Sequence, residues 1–301
     1  MAPLQNIIAI VYDCDGTLIP DNMQEPMLRS FGINPSEFWA ETKAWREGDL
    51  REGRYHAPEN SYMNLMLKYV KQGKIPPLSN ADLKRYGEII PPFSGLPSYF
   101  PFLKDEIRED PLYPSYGIEA RHFIISTGLK EMILGSVLNS PDCLDGVYAS
   151  DFLEEDGVIT YLGDCVGHQK KTDGLNSINR YGNFNRINEV NNGVKDEDRV
   201  VPWYNMLYVG DSGANRSDHP SWAHLRHQRV KGSNQKGVPI AVYDPSSEAA
   251  FNLAQEFYRH RKIMYVASAD YSKGSELYAL LRKIVRAKAD SIVARLDRKG
   301  D

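Results

Sequence analysis

The 301-residue chain is 42% hydrophobic and 25% charged, with a formal net charge of −4, an ordinary globular composition with room for one large domain or a core bearing an insertion. So small a negative charge supplies no field to hold nucleic acid, and no apolar run approaches the ~18 residues of a membrane span. Neither a nucleic-acid nor a membrane partner is therefore expected.

The opening residues, Met1-Ala2-Pro3-Leu4-Gln5, lack the basic start and small-residue cleavage site of a leader. Three cysteines, Cys14, Cys143 and Cys165, are an odd number without CxxC spacing, which predicts reduced thiols and a cytoplasmic setting. Ile7 to Tyr12 is an apolar, β-branched run suited to one buried strand, and it ends in Asp13-Cys14-Asp15-Gly16-Thr17-Leu18. Alternation along a strand turns Asp13 and Asp15 to one side and Cys14 to the other, as a small core residue. Two like charges so placed call for a shared cation or proton.

From Met23 to about Glu88 the chain is rich in Trp, Tyr, Met and charged residues at helical spacing. Helices are predicted over 24–31, from Asn34-Pro35 onward, over 60–71 and over 79–89. Pro91-Pro92-Phe93-Ser94-Gly95 punctuates the return. There follow a helix over 98–108, a strand ending in Ser126-Thr127-Gly128, a helix over 129–139 and a strand over 146–149. A hairpin over 152–162 turns at Glu155-Asp156-Gly157. A helix is predicted over 172–181, a polar loop over 183–198, and strands over 206–211, 238–243 and 264–267. The basic run His224 to Lys236 reads as an exposed loop, and Ser275 to Arg298 as an amphipathic helix packed on the core. Strands alternating with helices predict an α/β fold, a Rossmann-like parallel sheet with helices on both faces.

Ligands of such sheets bind beyond the C-terminal strand ends. Three strand ends carry Asp13 with Asp15, then Ser126, then Asp211. The three aspartates make an oxygen-rich nest suited to a small hard cation, most simply Mg2+. Lys171 heads a helix whose apolar positions are Leu175 and Ile178.

With these residues the chain resembles the haloacid dehalogenase superfamily, in its phosphoserine-phosphatase-like branch. Asp13-Cys14-Asp15-Gly16-Thr17 matches the family's DxDGT motif, and Ser126, Lys171 and Gly210-Asp211 fit the second, third and fourth motifs in order. The resemblance implies a catalytic core over 1–19 and 92–301 and a helical cap of the C1 type over 20–91. It implies Asp13 as nucleophile toward phosphorus and Asp15 as the acid and base. Ser126 and Lys171 would bind the substrate phosphate, with Mg2+ at Asp13, Asp15 and Asp211.

Several readings stay open on the residues alone. Ser126 also fits a helix cap, and Lys170 competes with Lys171. The fourth motif departs from the family pattern: Asn215 occupies the place of its second acid, and Asp218 comes three residues later. Either of these is a further candidate at the metal. Arg46, Arg51 and Arg54 fit an acidic substrate or a solvated face, and the aromatic residues around them fit the cap's own core. The function expected is a Mg2+-dependent phosphomonoester hydrolase acting on a small phosphorylated metabolite. The altered fourth motif motivates an alternative, a catalytically weak binding protein, and a phosphotransferase uses the same fold. The sequence leaves the oligomeric state open.

Overall fold

The computed structural model describes residues 5–213, 216–228 and 236–300. β1 (Ile7–Tyr12) leads through α1 (Glu25–Ser30), α2 (Pro35–Arg51), α3 (Pro58–Lys71), α4 (Asn80–Gly87) and α5 (Tyr99–Arg108) to β2 (Glu119–Leu129). α6 (Lys130–Gly135), β3 (Gly146–Ser150), β4 (Phe152–Glu155), β5 (Val158–Leu162) and α7 (Lys171–Tyr181) come next. The chain continues through β6 (Met206–Gly210), α8 (His219–His227), β7 (Val238–Tyr243), α9 (Glu248–Arg259), β8 (Tyr265–Ser268) and α10 (Glu276–Gly300).

Six parallel strands form one sheet in the order β3-β2-β1-β6-β7-β8. β1 is central, and its alternation shows how both faces are filled. Ile8, Ile10 and Tyr12 join Phe100 and Leu103 of α5 and Leu277 and Leu281 of α10 in one apolar cluster. Ile7, Ala9 and Val11 join Leu175 and Ile178 of α7, Leu225 of α8 and Phe257 of α9 in the other. A strand buried on both faces reads as a continuous apolar run, which is why Ile7 to Tyr12 carries no polar residue. The strand order reverses between β1 and β6, the crevice where open α/β sheets take ligands.

The helices between β1 and β2 start where local chemistry allows. Asn34 caps α2 by accepting from the Ser36 N–H at 3.0 Å, with Pro35 at the first helical position. Ser79 and Asp82 form a reciprocal capping box at the start of α4. α2 packs on α3, burying Phe38 beside Tyr69, edge to face at 5.7 Å between ring centres. The β4–β5 hairpin is tied to the same region, with the Ile159 N–H donating to the Leu78 carbonyl at 2.7 Å.

Two predicted elements are corrected and one is added. The helix expected over 129–139 ends at Gly135, because Ser136 is extended (ψ 162°) and only a 3-10 turn succeeds it over Val137–Asn139. His224 to His227 belongs to α8, where Leu225 is buried. They are therefore not an exposed loop, and residues 229–235 of that run lie outside the described residues. α9 is an element that the sequence pattern does not predict, although Ser247 caps it by accepting from the Ala250 N–H at 3.2 Å.

α4 crosses α6 at backbone contact. A Cβ added at Gly135 would lie 1.8 Å from the Lys84 carbonyl oxygen, and one at Gly87 would lie 2.2 Å from that of Met132. Gly135→Ala should therefore cost about 1–3 kcal/mol through overpacking, read as a lowered urea midpoint at unchanged m-value. Gly48→Ala in α2, where the new Cβ meets only the Arg51 guanidinium at 3.9 Å, should be neutral or stabilising. Equal midpoints for the two variants would contradict the tight crossing.

Candidate active site

The site forms where β1 and β6 end. Past Tyr12 the Asp13 N–H still donates to the Val209 carbonyl at 2.9 Å, so the ladder to β6 fixes the Asp13 backbone. Its carboxylate is buried: Oδ1 accepts from the Cys14 N–H at 2.8 Å, and Oδ2 lies 2.7 Å from Lys171 Nζ. The Asp15 Oδ1 accepts from the Met23 N–H at 3.1 Å, which holds it toward the start of the helical region. Cys14 points the other way into the apolar cluster.

Gly16 is required by two constraints at once. Its φ is +69°, and a Cβ there would stand 2.4 Å from Asp211 Oδ2. Thr17 then accepts the Asp211 N–H on Oγ1 at 2.9 Å, and its carbonyl accepts from the Tyr271 hydroxyl at 2.9 Å. The turn after β1 and the loop after β6 are thus fastened to each other. Ser126 lies within β2, buried, beside a register shift between Ile125 and Leu129. Its Oγ accepts from the Gly128 N–H at 3.0 Å.

Lys171 is fully buried at the start of α7. Nζ lies 2.7 Å from Asp13 Oδ2 and 2.8 Å from Asp218 Oδ1. Lys170 instead pairs with Asp164 nearer the surface. Asp218 is also fully buried. Its Oδ1 accepts from the Tyr208 hydroxyl at 2.8 Å, and its Oδ2 accepts from the Ser212 N–H at 2.8 Å. Gly210 makes room for this carboxylate, since a Cβ there would be 2.3 Å from Asp218 Oδ2. Asn215 lies outside the described residues.

Oxygens of Asp13, Asp211 and Asp218 come within 4.8 Å of one another. With Asp15, four acids face one ammonium among the described residues, and their ionisation is correspondingly opposed. Burial, then the charge of Asp218, raises Asp13 to about 7 despite Lys171. Burial, then the charge of Asp13, raises Asp15 to about 7. Burial, with Asp218 and Asp13 behind it, raises Asp211 as well. Lys171, although burial opposes its charge, is held well above its ordinary value by Asp13 and Asp218. An oxygen-only donor set short of positive charge fits a hard divalent cation.

A cavity of about 330 Å3 opens beside Asp15, walled by α2 and α3 as well as by the strand ends. Trp39 and Tyr62 line it while also packing edge to face at 5.7 Å, so these aromatics serve both helix packing and cavity wall. Arg46 lines it too. Arg54 does not, being paired with Asp49 and Glu52, and Arg51 is exposed away from it. Sequence reasoning misses Gln24, Glu59 and Tyr208. Glu59 and His168, 109 positions apart by number, meet at 2.7 Å, and no local pattern announces such a pair.

No family model matches the chain. A protein of Borreliella burgdorferi described as uncharacterized is 27% identical over 292 residues, covering 91% of this chain and 95% of its own. Among solved structures, a probable phosphoserine phosphatase from Vibrio cholerae aligns with TM-score 0.52 and 17% identity, covering 98% of this chain and 68% of that one. A haloacid dehalogenase-family hydrolase from Salmonella enterica serovar Typhi aligns with TM-score 0.51 and 18% identity over 88% of this chain and 67% of its own. A cytosolic 5′-nucleotidase IIIB bound to cytidine aligns with TM-score 0.52 and 13% identity over 97% and 88%. No helix among the described residues is long and apolar enough to cross a membrane. At these identities the likeness is one of architecture: the chain has the haloacid dehalogenase-like fold, shared with that hydrolase and with the probable phosphoserine phosphatase.

Proposed function

We propose that this chain is a Mg2+-dependent phosphomonoester hydrolase of the haloacid dehalogenase superfamily, acting on a small phosphorylated metabolite. One observation carries the reading. A buried Asp13, 2.7 Å from Lys171 Nζ, shares the end of β1 with a half-buried Asp15 whose pKa of about 7 suits proton transfer near neutrality.

Asp13 attacks phosphorus through a carboxylate oxygen while the bond to the leaving oxygen breaks, giving an aspartyl-phosphate. Asp15, protonated at the outset, gives its proton to the leaving alkoxide. It then takes a proton from the water that attacks the same phosphorus, which frees phosphate and restores Asp13. Lys171 offsets negative charge on Asp13 and the transferring group, and Ser126 offers its hydroxyl to a phosphate oxygen. Asp13, Asp211 and the Asp15 backbone would hold the Mg2+, which supplies charge neutralisation between anionic nucleophile and anionic ester. Asp218, with both oxygens already accepting hydrogen bonds, is assigned to anchoring Lys171. α2 and α3 act as the cap that closes over the ester and keeps out bulk water.

Purified protein should hydrolyse p-nitrophenyl phosphate with Mg2+ and lose that activity with EDTA. Asp13→Asn should reduce turnover by at least about a thousandfold. Activity indifferent to EDTA, or kept by Asp13→Asn, would overturn the proposal.

The raised carboxyls also fix a stability profile. Asp13 and Asp15 rise from 3.8 to about 7 on folding. Their contribution is favourable below the unfolded value and is lost as pH climbs through the folded one. The EDTA-treated protein should therefore melt at progressively lower temperature between about pH 4 and pH 7. Mg2+ should raise the melting temperature more at pH 8 than at pH 5, where it competes with protons. Equal Mg2+ shifts at the two pH values would argue against a cation at these carboxylates.

A further inference from the structure

The cavity beside Asp15 lies where the alcohol portion of an ester attacked by Asp13 would extend, so assigning its occupant rests on the hydrolase reading. Its lining is chemically uneven. Arg46 is only partly exposed, and among the described residues it has no acidic or hydrogen-bonding partner. Lys43, one turn away on α2 and also at the cavity, reaches Glu47 only at 3.9 Å across an exposed surface, a contact of little energetic weight. The acid on the opposite wall, Glu59, is already matched by His168 Nε2 at 2.7 Å. Burial pushes the Glu59 carboxyl up, but the hydrogen bond and charge of His168 outweigh it and leave it below its ordinary value. Glu59 thus has a close polar partner at this cavity, whereas among the described residues the Arg46 guanidinium has none and the Lys43 ammonium only a long, exposed one.

Beside Glu59 Oε1, whose close contact is the one to His168, two further buried polar atoms of the lining lack hydrogen-bond partners: the Oε1 of Gln24, an acceptor, and the Nε1–H of Trp39, a donor. Gln24 is 1% exposed, and an unmet amide oxygen at that depth is costly unless a ligand or water completes it. A hydroxyl can donate to the first and accept from the second.

We infer that the ester taken here carries, on its alcohol portion, a second anionic group for Arg46 and Lys43 and a hydroxyl for Gln24 and Trp39. The substrate class is a phosphorylated hydroxy acid. A neutral phosphate ester leaves Arg46 unmatched. A phosphorylated amino acid brings an ammonium to a wall whose carboxylate His168 already occupies.

Three esters of one carbon skeleton separate these classes: glycerol 3-phosphate, 3-phosphoglycerate and phosphoserine. Their affinities for full-length Asp13→Asn protein with Mg2+ would be measured by calorimetry, beside wild-type turnover of the same compounds. 3-Phosphoglycerate should bind about tenfold or more tightly than glycerol 3-phosphate, as a charge-assisted contact at a partly buried guanidinium implies. Phosphoserine should bind no tighter than 3-phosphoglycerate. Adding Arg46→Met should bring the first ratio toward one, whereas Arg46→Lys should keep part of it, with both variants melting like their parent. Equal affinities for the first two esters, a ratio untouched by Arg46→Met, tighter binding of phosphoserine, or no binding of any of the three overturns the inference. The stated preferences in binding without wild-type turnover would overturn the hydrolase reading and support this one. Turnover of p-nitrophenyl phosphate with equal affinities would do the reverse.

Discussion

Everything at the crevice between β1 and β6 follows from a charge imbalance. Buried Asp13 and Asp218 converge with half-buried Asp15 and Asp211, and among the described residues the buried ammonium of Lys171 is the cation set against them. Desolvated like charges are tolerated only when protons, cations or oriented donors make up the difference. Here the donors are visible. The Cys14, Met23 and Ser212 N–H groups and the Tyr208 hydroxyl each meet one of the carboxylates. They fall short of full compensation, so without a cation burial raises the Asp13 and Asp15 carboxyls to about 7. Such an oxygen-rich cluster short of positive charge fits a divalent cation, and the same shortage raises the Asp15 carboxyl toward neutrality.

That arrangement constrains the backbone more than the side chains. Gly16 and Gly210 are the positions where a Cβ would collide with Asp211 and Asp218, at 2.4 and 2.3 Å. The Thr17 hydroxyl and the Tyr271 hydroxyl then lock the first turn between the β6 loop and the segment after β8. Apolar burial on both faces of β1 holds the strand, the strand aims Asp13, and two glycines let the acids of β6 approach it. Rigid strands therefore carry the reacting groups, while the start of the helical region reaches them through the Met23 N–H alone of the contacts to Asp15.

How much of this the chain announces depends on how local each feature is. Asp13, Asp15 and Asp211 are legible because each comes at the end of an apolar strand, and the choice of Lys171 over Lys170 follows from the spacing of Leu175 and Ile178. In the structure those two residues face the sheet and Lys171 faces Asp13, while Lys170 pairs with Asp164 at the surface. Asp218 is one of two candidates in the sequence, and only the fold brings it onto Lys171, through a loop in which Ser212 adopts φ +62°. The break at Ser136 hides inside an apolar helical pattern, since the α4–α6 crossing that accompanies it is a tertiary event. Glu59 with His168, and Gln24 with Trp39, belong to contacts between distant segments that no periodicity encodes.

The site thus divides at Asp15. On its inner side the arrangement is electrostatic, with Lys171 set against Asp13 and Asp218 and with Asp211 beside them. On its outer side the wall belongs to α2 and α3, where Arg46, Gln24, Trp39 and Glu59 meet the cavity. Substitutions at Arg46 can therefore change the cavity wall without disturbing the charge balance around Lys171, because no ion pair or hydrogen bond among the described residues links Arg46 to the aspartates. Asp15 is the one carboxylate that lines the cavity while sharing the end of β1 with Asp13. In the proposed hydrolysis, its proton would be the point at which the fit of the alcohol portion meets the departure of the leaving oxygen.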